Sequence, residues 1–171
     1  MLTITERIAG DGAVDDRLTL PFDQRQKSRL RVTLESGDEA AVNVERGAVL
    51  RGGDCLKASD GRIIQVVAAK EPLTLVTATE PRNLMRAAYH LGNRHIPLQI
   101  GLDWILMEQD HVLEHMLEGL GVQVRHEMAP FEPEAGAYGG GHRHGDDDHG
   151  HSHDHDHSHS HGHGHHHHSH D

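Results

Sequence analysis

The chain has 171 residues, one cysteine, a formal net charge of −11 and 20 histidines, of which the segment 142–171 carries 15. A single thiol excludes an intramolecular disulfide or a cysteine-based metal cluster within one chain, so any metal chemistry must rest on imidazole and carboxylate. The acidic balance opposes binding to nucleic acid and attracts cations. No stretch approaches the roughly 20 apolar residues of a membrane span, and residues 1–10 lack the basic start and apolar run of a signal peptide, which points to the cytoplasm.

From Met1 to Lys70 apolar residues alternate: Leu30, Val32 and Leu34, then Ala40, Val42 and Val44, then Ile64, Val66 and Ala68. Period two predicts half-buried strands, and Ser36-Gly37-Asp38, Gly52-Gly53 and Asp60-Gly61 supply the tight turns between them. Residues 1–70 therefore read as a small all-β domain. Arg25, Lys27, Arg29 and Arg31 stand two residues apart and are expected to line one strand face, either as a solvated surface or as a docking surface for an acidic partner. Cys55 follows a turn with no histidine near it in sequence, and reads as a small buried residue.

Residues 71–135 change character. Leu73 to Thr79 is β-branched and predicts a strand; Pro81 suits a first helical position, and Leu84, Ala87, Ala88 and Leu91 repeat at helical spacing up to Gly92-Asn93. The stretches from His95 to Ile100 and from Trp104 to Met107 predict two short strands. Asp110 then caps a second helix with Leu113, Met116, Leu117 and Leu120 on one face, ending at Gly119 to Gly121, and Val122 to His126 predicts a last strand. The order β-α-β-β-α-β is the ferredoxin-like arrangement, two helices on one face of an antiparallel sheet, so the whole is an α+β protein of two small domains.

From Pro130 the chain turns to Pro, Gly and Ala, then to His, Asp, Ser and Gly. Residues 136–171 bury too little apolar surface to offset ordering and are expected to be disordered without metal. The tail HRHGDDDHGHSHDHDHSHSHGHGHHHHSHD offers His142, His144, His149, His151, His153, His155, His157, His159, His161, His163, His165, His166, His167, His168 and His170. Neutral imidazole suits nickel, zinc and copper, and six aspartates add oxygen ligands, so overlapping sites can exchange one ligand at a time. A purification tag and a functionless low-complexity tail are the competing readings. A tag is usually an unbroken run of six or more histidines, and the longest run here is His165 to His168.

His111-Val-Leu-Glu114-His115 fits H-x-x-E-H, in which two histidines bind zinc and the glutamate acts as general base. A protease of that kind needs a further ligand and a substrate cleft, and few foldable residues follow. Phosphate-cradling loops, dinucleotide fingerprints and serine elbows are absent from the sequence. A metal buffer without a dedicated client is the third reading.

HLGNRHIPLQI from His90 to Ile100, DHVLEHML from Asp110 to Leu117 and the His-rich terminus resemble the UreE family of urease accessory proteins, as does the early stretch RLTLPFDQRQKSRLRVTLESGD. The likeness spans essentially the whole chain. It implies a non-enzymatic, homodimeric carrier that delivers Ni2+, with Zn2+ or Cu2+ as other ions of suitable chemistry, to the urease apoprotein, helped by other accessory proteins including a GTPase. It also implies that His95 binds nickel at the dimer interface, one from each subunit, and that His111 is a peripheral ligand. Some members carry a further histidine where this chain has Gln109. His115, one helical turn from His111, is a third candidate on the body of the protein.

Overall fold

The computed structural model describes residues 1–10 and 13–136. Residues 2–68 build a six-stranded sheet from β1 (Leu2–Ile8), β2 (Asp16–Leu20), β3 (Arg29–Thr33), β4 (Glu39–Asn43), β5 (Cys55–Ala58) and β6 (Ile63–Ala68), with one short helix, α1 (Phe22–Arg25), between β2 and β3. The strand order is β2-β6-β5-β1-β4-β3, with β1 parallel to β4 and β2 parallel to β6. The alternating residues face inward as their period requires: Val32, Leu34, Ala40, Val42, Ile64 and Val66 are buried together with Ile4, Leu18 and Leu56. Gly37 and Gly61 turn the chain at φ of 93° and 91°, a conformation that L side chains resist.

The second half runs β7 (Lys70–Thr77), α2 (Pro81–Asn93), β8 (Gln99–Ile100), β9 (Trp104–Glu108), α3 (His111–Gly119) and β10 (Gln123–Pro130). Its sheet has the order β10-β7-β9-β8 with every neighbouring pair antiparallel. Ala87 and Leu91 of α2 and Leu117 of α3 pack on Val76, Ile105 and Met107, which all project from one face of this sheet. The predicted stripe of α3 is the packed one: Leu113, Met116 and Leu120 join this core beside Leu117.

The opposite face carries Leu73, Leu75 and Leu106. It packs on Phe22 of α1 and on Phe131, just after β10, whose rings stand 5.4 Å apart. Residues 131–134 form a strap across the two halves: the Glu132 amide donates to Gln99 Oε1 and the Glu134 amide to the Leu98 carbonyl, while the Glu132 carboxylate accepts from Arg25, Arg51 and the Gly52 amide.

Two expectations are corrected. The basic residues from Arg25 to Arg31 do not share a strand face. Pro21 starts a helical turn, so Arg25 turns inward and is fully buried, donating to the carbonyls of Leu20, Leu50 and Phe131 and to Glu132. Lys27 is exposed 3.4 Å from Asp23, and only Arg29 and Arg31 lie on β3. The strand expected from His95 shrinks to Gln99–Ile100, because His95 takes φ of 57° and Pro97 has no amide hydrogen to donate. Cys55 is buried with a free thiol, as expected.

Candidate metal site

His95 owes its position to the way α2 ends. The Arg94 and Ile96 amides donate to the Leu91 carbonyl at 3.0 and 3.3 Å, and the His95 amide donates to the Gly92 carbonyl at 2.9 Å. This is the Schellman pattern, and His95 occupies its left-handed position, where glycine is the usual residue. It is the one non-glycine residue with positive φ among the described residues. A glycine would take that position at no steric cost, yet an imidazole is held there, exposed to solvent, in a backbone state that costs on the order of 1 kcal/mol or more. Pro97 follows and keeps the chain extended away from the helix.

The second half also exposes apolar surface. Met85 and Tyr89, one turn apart on α2, are 66% exposed, Ile100 is 50% exposed, and Leu102 in the following turn is fully exposed. His90, in the last turn of α2, meets Tyr89 edge-on at 5.4 Å between ring centroids. Exposed apolar side chains of this size are the makings of an interface rather than of a solvated surface.

α3 carries the other two body histidines. Asp110 caps it, accepting from the Val112 and Leu113 amides at 2.9 and 3.0 Å, which sets His111 as its first residue with its side chain in solvent. His115 is also exposed, with Nδ1 4.0 Å from Glu118. The Glu114 carboxylate is engaged with the sheet: its Oε1 accepts from the buried Thr74 hydroxyl at 2.5 Å and contacts His126 Nε2 at 2.8 Å. The Thr74 hydrogen bond, and after it His126, hold the Glu114 carboxyl below the usual carboxylate range. A general base poised over a zinc-bound water needs a free carboxylate beside the two histidines, and Glu114 is instead committed to the sheet.

Among the described residues, no three His, Cys, Asp or Glu side chains converge to hold an ion. His95, His111 and His115 thus belong to no such group within the chain. The tail histidines, from His142 to His170, lie outside the described residues. His126 was missed by sequence reasoning; its signal was parity, since it shares the inward-facing phase of Val122 and Val124 along the last strand. Among the described residues, no helix is long and apolar enough to cross a membrane.

Two family models cover the chain: that of the UreE urease accessory protein N-terminal domain matches residues 3–69 and that of its C-terminal domain residues 71–171. The chain belongs to the UreE family of urease accessory proteins. The urease accessory protein UreE of Cupriavidus necator is 58% identical over 129 residues, covering 75% of this chain and 67% of that protein. That of Alkalilimnicola ehrlichii is 54% identical over 140 residues, covering 82% of this chain and 86% of the relative, and that of Janthinobacterium sp. (strain Marseille) 53% over 139 residues, covering 81% and 82%. In this UreE chain the boundary between the two matched domains falls at Lys70, the first residue of β7, where the first sheet gives way to the second.

Proposed function

We propose that the chain is a nickel metallochaperone rather than an enzyme: a cytoplasmic homodimer that binds Ni2+ through histidines and delivers it for assembly of the urease active site. Residues 71–135, a ferredoxin-like unit by strand order, hold the metal and dimerise. Residues 1–70 bind protein partners, namely the urease apoprotein and other accessory proteins including a GTPase, and residues 136–171 gather metal. The observation that carries this reading is His95, an exposed imidazole kept at a helix end in the backbone state that glycine would fill without strain. A two-fold axis through the apolar surface of Met85, Tyr89, Ile100 and Leu102 brings two copies of His95 to one ion, which reconciles a ligand displayed singly with a site of two or more ligands. The family name of the relatives supports the urease role.

All ligands in this scheme are imidazole or carboxylate, which leaves the ion exchangeable, as delivery requires. His111 or the tail histidines complete and relay its coordination. The test is nickel titration with oligomeric state followed in parallel, on the full chain, on a chain ending at Gly141 and on the His95→Ala variant of each. One tight ion per dimer that survives truncation and vanishes with His95→Ala is the expected result. Tight binding that vanishes on truncation moves capture into the tail and overturns the scheme in favour of storage.

A further inference from the structure

His126 lies on β10, an edge strand of its sheet, opposite Thr74 of β7 in register, and its side chain is 58% exposed. Its Nε2 is 2.8 Å from a carboxylate oxygen that is itself fixed by the buried Thr74 hydroxyl. A carboxylate offers only acceptor sites, so the ring nitrogen facing it carries the hydrogen. In the neutral ring that leaves the lone pair on Nδ1, the other nitrogen.

We propose that His126 is a further ligand for a borderline divalent ion such as Ni2+ or Zn2+, binding through Nδ1, with Glu114 and Thr74 as the positioning residues that fix its tautomer and ring plane. Carboxylate–histidine–metal relays are built in this order: the outer oxygen orients the ring and the inner nitrogen meets the ion. A purely structural pair accounts for the geometry less well, since an ion pair with one partner as exposed as His126 adds little stability. The position is also informative. Glu114 lies three residues after His111 on α3, on the same side of the helix, so His126 and His111 stand on one flank of the domain. The choice of ion rests on the metal-carrier reading; the tautomer and the exposure of the ring rest on geometry alone.

The test uses the full chain. Imidazole nitrogen resonances of the metal-free protein should report His126 with its hydrogen on Nε2. Stepwise nickel chloride should then protect His126 from diethyl pyrocarbonate, with the adduct localised by tandem mass spectrometry. Glu114→Ala should raise the nickel concentration needed for that protection by about ten-fold or more. Glu114→Gln, which keeps an acceptor for the ring, should restore most of it, and His95 protection should stay unchanged in both. A hydrogen on Nδ1, no protection of His126, or protection indifferent to Glu114→Ala each overturns the proposal. Protection of His95 without His126 removes only this site, whereas protection of neither removes the carrier reading as well.

Discussion

At the residue scale, the role proposed for His95 is set against stability. A side chain in the left-handed region costs roughly 1–2 kcal/mol, and glycine in its place removes that cost while adding some unfolded-state freedom. The His95→Gly variant should therefore match or exceed the natural chain in metal-free stability, by up to about 1 kcal/mol in urea unfolding, and should lose the tight nickel site. Equal loss of stability and metal binding in this variant would make His95 a packing residue. The GNRH pattern singled out His95 in the sequence, but its conformation was not legible there. Hydrophobic alternation from His95 to Ile100 resembles a strand, and only the three-dimensional end of α2 shows that Arg94 and His95 close a helix. Arg25 is the reverse case: its spacing to Arg31 suggested a strand face, and one helical turn after Pro21 moved it into the interior.

At the scale of elements, α2, α3, β7 and β9 followed from local rules: Pro81 at a first turn, Asp110 at a cap, a stripe of leucines, a β-branched run. The parallel pairing of β1 with β4 and of β2 with β6 did not, because register between strands distant in sequence leaves no local trace. Nor did the tie between α3 and its sheet, made by Glu114 reaching Thr74 and His126. That tie has a pH signature. The folded state holds the Glu114 carboxyl below its ordinary value of 4.5, first through the Thr74 hydroxyl and then through His126. A carboxylate depressed on folding contributes stability that is fully present above its unfolded value and is lost as pH falls through the folded value. Acidification from neutral pH to below the carboxylate range should therefore lower the urea midpoint more in the natural chain than in Glu114→Gln. Identical slopes against pH would show that the carboxylate contributes no proton-linked stability.

At the scale of the whole molecule, the described residues are two sheets held together by a third, smaller core. Phe22, Leu73, Leu75, Leu106 and Phe131 form it, and Trp104 packs against its edge. Arg25 sits at its rim, fully buried, its guanidinium satisfied by carbonyls from Leu20, Leu50 and Phe131 and by the Glu132 carboxylate. The strap ends beside β8 through the bond from Glu134 to Leu98, three residues from His95. Removing one partner of a buried charge pair costs about 3–5 kcal/mol, because the groups left behind are desolvated and unpaired. Arg25→Ala should accordingly destabilise the chain by about 3 kcal/mol and loosen the coupling between the halves. Trp104 is the single tryptophan and reports on the shared core, whereas far-ultraviolet circular dichroism reports on both sheets. In the natural chain the two signals should change together through a urea titration, as one cooperative unit requires. In Arg25→Ala the Trp104 transition should come first and part from the dichroism. If the two curves still coincide at a lower midpoint, Arg25 is an ordinary core group, and the coupling between the sheets resides in the apolar contacts of Phe22 and Phe131 alone.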